Sequence, residues 1–167
     1  MEKKDLLHNI QSACAMGLQL IPPTILCDSI GSIGLKEPLT VLPTTSLAEC
    51  IRLMQQRRVG SILVTGPNGK LQGIFTERDC LMKVLGIEKS LETVTVTEYM
   101  TKNPFRERPE ASLAFALNLM SNGGFRHIPI VDQDDIPIGI ISVKDVVEHI
   151  VTRMLSAIYE VVETVDE

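Results

Sequence analysis

The sequence predicts a mixed α/β (α+β) fold: two β-α-β-β-α units in a pseudo-twofold arrangement, preceded by a helix and closed by a long one. Three observations predict it. The stretch GIFTERD at 73–79 recurs as GIISVKD at 139–145, 66 residues later. At the same offset Pro38 meets Pro104, Pro43 meets Pro109, Ser46-Leu47-Ala48 meets Ser112-Leu113-Ala114, Leu53-Met54 meets Leu119-Met120 and Ile62 meets Ile128. Matches this regular mark a duplicated unit. Each copy also has the same order of patterns: a short strand, a helical stripe, two apolar strand runs around a turn, and a second helix. Finally, a sheet covered by helices on one side leaves its other face apolar. One such unit is marginal alone, and two facing each other bury both faces.

The elements follow in chain order. Residues 2–20 carry apolar groups at helical spacing (Leu6, Leu7, Ile10, Cys14), and Pro22-Pro23 ends that helix. Residues 24–29 open a short helix, and Gly31 and Gly34 mark a loop. In the first copy, 39–42 is a strand. Ser46 caps the next helix, with Glu49 at capping-box spacing and Leu47, Cys50, Ile51 and Met54 as its buried stripe. Residues 61–64 and 71–75 are strands around the turn Gly66-Pro67-Asn68-Gly69. Ile62, Val64, Ile74, Ile128, Ile130 and Ile140 are expected on the face turned to the other copy. Residues 77–85 form a helix stopped near Gly86. Between the copies a strand-like run at 94–96 precedes a helical turn at 98–100. The second copy reads 104–108 strand, 112–120 helix, 128–131 and 138–141 strands, and a last helix from about 143 to 162. The expected divisions are a helical extension at 1–24, the first copy at 25–88, the second at 89–155, and a helix end with an acidic tail at 156–167.

Composition narrows the function classes. Apolar residues make up 44% of the chain with no tryptophan, so the core is built from Ile, Leu, Val and Met. A formal charge of −5 argues against a protein that works by gripping nucleic-acid backbone. No apolar run approaches the roughly 18 residues of a membrane span, and the start of the chain lacks a signal-peptide core. Cys14, Cys27, Cys50 and Cys80 fit no zinc or redox spacing. They read as reduced, mostly buried thiols of a cytoplasmic protein. No three His, Cys or Asp residues stand at metal-ligand spacing. His8 and His149 read as solvent-facing helix residues.

The paired units, each ending in glycine-apolar-x-Thr/Ser-x-x-Asp, resemble the cystathionine β-synthase (CBS) domain family, and the tandem resembles its Bateman module. The stretches Val96-Thr97-Glu98-Tyr99-Met100-Thr101 and Phe125-Arg126-His127-Ile128-Pro129-Ile130-Val131-Asp132 are similar to that family as well. The resemblance spans about residues 25–155. It implies a regulatory module that binds an adenosine-containing ligand (AMP, ADP or ATP, or NAD or S-adenosylmethionine) in clefts between the copies. It also implies a homodimer.

An adenosine ligand needs a carboxylate for its ribose diol, donors and cations for its phosphate, and apolar surface for its base. Asp79 and Asp145 suit the diol, Thr76 and Ser142 the phosphate as hydroxyls, and Arg78 and Lys144 as cations. With the resemblance this implies two nucleotide sites. One joins Ser142, Lys144 and Asp145 to Arg126, His127, Ile128 and Pro129, with Gly34, Lys36 and Leu39 crossing from the other copy. The second joins Thr76, Arg78 and Asp79 to Ser61 and Ile62, with Met100, Thr101, Lys102 and Phe105 closing over the base. Arg126 and His127 stand where the first copy has Gly60 and Ser61, which ranks the Asp145 site first for AMP or a longer polyphosphate. The Asp79 site is left empty or for a ligand such as NAD. The plainer readings are that both aspartates only cap helices, that Arg126 pairs with Asp132 or another surface acid, and that His127 lines a core edge. The chain has no nucleophile-base pair, Gly-x-Ser-x-Gly or P-loop, so an enzyme is not expected. A module that dimerises or docks a partner without ligand is the alternative.

Overall fold

The computed structural model describes residues 25–87 and 90–165, with side chains to residue 157. The helix expected over 2–20, His8 and Cys14 lie outside the described residues.

The first copy is a four-stranded sheet in the order β1-β2-β3-β4. Strand β1 (Thr40–Val41) runs parallel to β2 (Ser61–Thr65). Strand β2 pairs antiparallel with β3 (Leu71–Thr76), and β3 with β4 (Thr101–Lys102). Helix α1 (Leu47–Arg57) joins β1 to β2; the Ser46 hydroxyl caps it by accepting from the Glu49 amide at 3.2 Å. The expected capping box is incomplete, because the Glu49 carboxylate takes two hydrogen bonds from Arg52 instead. After β3 comes helix α2, which starts as one α-helical stretch, Glu77–Asp79, and widens to a π-helix over Cys80–Val84.

The second copy repeats the plan with less regular sheet. Helix α3 (Leu113–Gly123) is capped by Ser112 and stopped at Gly124, whose φ of 67° suits glycine. Strands β5 (His127–Val131) and β6 (Pro137–Ser142) form an antiparallel pair, and helix α4 (Val143–Val165) follows. The strand expected over 104–108 shrinks to one parallel bridge, Glu107 to Ile130. Pro104 and Pro109 flank it and have no amide to donate to a ladder. The run 94–96 likewise gives a bridge at Thr95 and a 3-10 turn over Val96–Glu98. Of the short helix expected from residue 24, the described residues show a 3-10 turn over Ile25–Cys27.

Each copy borrows its last piece from the segment that precedes the other. Strand β4, which follows the first copy, completes that copy's sheet, and Val96 and Met100 enter its core with Leu47, Cys50, Met54, Ile62, Val64 and Phe75. The segment before β1 does the same for the second copy. Ile30 packs with Leu113, Ala116, Met120, Ile128, Ile130, Ile141 and Val146, and Lys36 bridges Ile140. The bridge of Ser29 with Ser112 mirrors that of Ser46 with Thr95. The motif glycines permit this crossing. A Cβ on Gly139 would lie 2.8 Å from the Cβ of Leu35, and one on Gly73 would strike the Met100 sulfur.

Where the two sheets meet, Leu63, Leu71, Ile74 and Val131 are buried together with Ile140 packed against them. Ile62, Val64, Ile128 and Ile130 face their own helices instead, contrary to the expectation for that face. Successive strand residues point to opposite sides. These strands are apolar on both sides, so composition could not tell the faces apart. Among the described residues no helix is long and apolar enough to cross a membrane.

Candidate functional site

The repeated motif makes the same local structure twice. In the first copy, the Thr76 amide and hydroxyl both donate to Asp79 Oδ2, at 2.9 and 2.6 Å, and the Asp79 amide returns a bond to the hydroxyl at 3.2 Å. In the second, the Ser142 amide and hydroxyl donate to Asp145 Oδ2 at 2.8 and 2.5 Å, with a 3.3 Å return. The helix-cap reading of these aspartates is therefore correct for one oxygen of each. The hydroxyl protons of Thr76 and Ser142, expected to meet a phosphate, are committed to that cap.

The other oxygen differs between copies. Asp79 Oδ1 is held by Lys83, one turn along α2, at 2.6 Å. Asp145 Oδ1 is held by Lys36, from the crossing segment. The residue of α4 equivalent to Lys83 is His149, which turns away to Asp28 at 2.9 Å. His149 is thus a partly buried tie between α4 and the first described segment, not a solvent-facing residue. Its signal was an acid, Asp28, far away in sequence, which no local pattern reveals. Burial pushes the Asp145 carboxyl up, but Lys36 and Ser142 together hold it below its usual range. The same bond raises the Lys36 ammonium.

Two cavities open beside these carboxylates. The Asp79 cavity, about 340 Å³, is lined by Thr76, Arg78, Asp79, Thr101 and Phe105 of the expected set. Asn103, Phe125, Arg126 and His127 line it too. Phe105 and Phe125 stack there with ring centroids 5.6 Å apart. Both rings belong to the second copy, and tertiary packing rather than any local sequence pattern brings them together beside Asp79. Arg78 donates to the Gly124 carbonyl at 2.5 Å and so ties α2 to the second copy.

The Asp145 cavity is larger, about 1170 Å³, and holds Ser142, Lys144, Asp145, Lys36, Arg126 and His127 of the expected set. Ser61, assigned with Asp79, lines this cavity instead, as do Arg58 and Gly60. Arg126 and His127 border both cavities rather than the Asp145 side alone. The segment just before β2 or β5 reaches across to the partner copy's motif, so each cleft draws that segment from the other unit. Ile62 and Ile128 are fully buried in the cores, Pro129 is buried, and Gly34, Leu39, Met100 and Lys102 line neither cavity.

Arg126 lies 3.8 Å from Glu77, so the acid beside it is another surface acid rather than Asp132. Burial lowers the His127 imidazole and Arg126 adds to this, against the opposing pull of Glu77 and Asp145, so it is neutral at pH 7. Cys50 is buried, and its thiol is pushed up to about 11 by burial and by Glu49. Cys80 is half-buried and Cys27 exposed, against an expectation of mostly buried thiols. Among the described residues no cluster of His, Cys, Asp and Glu could hold a metal ion.

The doubled unit is also found in known proteins. The CBS domain model matches residues 30–86 and again 96–152. The chain belongs to the CBS-domain family. It is 32% identical over 126 residues to CBS domain-containing protein CBSCBSPB1 of Arabidopsis thaliana, a match that takes in 75% of this chain and 23% of that protein. The chain therefore spans about a quarter of that relative's length. Among solved structures, the CBS-domain containing protein ATU1752 of Agrobacterium tumefaciens superposes with a TM-score of 0.65 at 31% identity, over 72% of this chain and 97% of that one. CBSX2, solved in complex with AMP, superposes with a TM-score of 0.63 at 25% identity, over 72% and 94%.

Proposed function

We propose that this CBS pair is a regulatory module that binds adenine nucleotides, AMP, ADP or ATP, in the clefts at Asp79 and Asp145. One observation carries the reading. Each motif carboxylate keeps one oxygen in its own cap and gives the other to a lysine, beside arginines and an apolar wall. A ribose diol can replace the lysine without breaking the cap. The AMP complex of the related CBSX2 supports the ligand class. The Asp79 cleft, with its stacked phenylalanines and smaller volume, suits a monophosphate. The Asp145 cleft, with Lys36, Arg58, Lys144 and Arg126, suits a longer phosphate chain. Both clefts draw on both copies, so a ligand bridges them and biases their relative angle only by its differential affinity for the two arrangements.

A thermal-shift panel tests this, with AMP, ADP, ATP, NAD, NADH and S-adenosylmethionine at millimolar concentration. A ligand at 100 times its dissociation constant adds about 2.7 kcal/mol of stability. A shift with an adenine nucleotide, reduced by Asp145→Ala or Asp79→Ala, is the expected result; no shift with any of the six would sink the reading.

A second reading, a dimerisation module independent of ligand, is favoured by one other observation. Leu81 and Leu85 on α2 are exposed, and so are their repeat equivalents Val147 and Val151 on α4. A homodimer covers these residues. Light scattering that gives a monomer mass at micromolar concentration excludes it.

A further inference from the structure

Among the described residues, three border both cavities: Glu77, Arg126 and His127. Their repeat equivalents are Val143, Gly60 and Ser61, none of them charged. A symmetric pair would give each cleft its own arginine at this wall. Here Arg126 is the charged donor common to the two, since His127 is held neutral. Arg126 is half-exposed and loosely paired with Glu77 at 3.8 Å, so it is free to turn to either side. Arg78 borders the Asp79 cavity alone, and Lys36, Arg58 and Lys144 the Asp145 cavity alone.

We infer that Arg126 serves one phosphate at a time, so that a nucleoside monophosphate in either cleft weakens the binding of a second in the other. The inference rests on the nucleotide reading above. A guanidinium bonded to one phosphate cannot also neutralise a second, and the second phosphate meets Glu77 released from its partner. Coupling of this kind is a free energy between sites and is the same in both directions. A nucleoside without phosphate has no claim on Arg126 and fills both clefts independently. The result is a module that counts one phosphate ligand per chain across a wide concentration range.

Isothermal titration with AMP and with adenosine tests this. Asp79→Asn silences one cleft and Asp145→Asn the other; asparagine keeps the oxygen that accepts from Thr76 or Ser142, so both caps survive. For wild-type protein with AMP, the product of the two association constants should fall at least about tenfold short of the product of the two single-cleft constants. For adenosine the products should agree. Arg126→Ala should erase the AMP shortfall. Matching AMP products overturn the coupling and leave the nucleotide reading intact. A shortfall that survives Arg126→Ala overturns the role of Arg126 and assigns the effect to repulsion between phosphates. No heat with either ligand on any form overturns the nucleotide reading and this inference with it.

Discussion

Phe105 and Phe125 line the Asp79 cavity; of their repeat equivalents, Val59 lines the Asp145 cavity and Leu39 lines neither. Asp79 is held by a lysine of its own helix, and Asp145 by a lysine that arrives from the segment before the first copy. The backbone of the two motifs is nearly the same, down to the bonds of the cap. The difference shows where each kind of property is kept. The cap and the strand-to-helix turn are set by local sequence and are duplicated faithfully. Much of what surrounds each carboxylate crosses from the other copy, and there the sequences have diverged. An exchange as small as Lys83 for His149 is enough to reassign the partner of an aspartate.

Removing the carboxylates is the strongest way to break the comparison. Asp145→Ala should weaken ATP by about 1.5–3 kcal/mol, and Asp79→Ala should weaken AMP by a similar amount. Titration of each variant with each ligand reads this, and equal loss of both ligands in both variants would erase the proposed division of labour.

The crossing itself can be tested through the two motif glycines. Gly139→Ala should destabilise the fold by about 1–3 kcal/mol, the range of overpacked cores, because its Cβ meets the Leu35 Cβ near the backbone. Gly73→Ala should cost less, since the flexible Met100 side chain can swing aside. Urea midpoints in the reverse order would mean that the two crossings are not packed as described.

The aromatic pair gives a finer discrimination. Phe105→Ala should reduce AMP affinity by about 0.5–1.5 kcal/mol, the worth of a ring stack, and leave binding in the Asp145 cleft unchanged. A loss of equal size in an Asp79→Asn background would show that Phe105 acts on the wrong cleft.

The smallest effect is on pH dependence. The Asp145 carboxyl is depressed in the folded state. It contributes stability that is present above the unfolded value, about 3.9, and lost as pH falls through the lower folded value. Asp145→Asn should therefore flatten the fall in stability below about pH 4. An acid limb identical to that of the wild type, followed by circular dichroism, would show that the Lys36 pair adds nothing to the fold.

Much of this was legible in the chain. The offset of 66 residues exposed the duplication, Ser46 and Ser112 announced their helices, and the glycine-to-aspartate motif marked both clefts. These are local signals, carried by residues three or four apart or by register alone. The face of Ile62 and Ile128 was not legible, because strands apolar on both sides carry no alternation to read. Nor was the membership of each cleft. Arg126 and His127 stand at the start of a strand of the second copy, and sequence neighbourhood assigned them to that copy's aspartate.

Short-range spacing that the backbone must obey sets the repeated unit, its caps and the two carboxylates. Tertiary packing alone settles which distant residues meet: Lys36 with Asp145, Phe105 with Phe125, His149 with Asp28, and Arg126 on both cavities at once. Those meetings join residues far apart in the chain. They are fixed by burying two apolar sheet faces against each other, and that burial has no counterpart in local sequence.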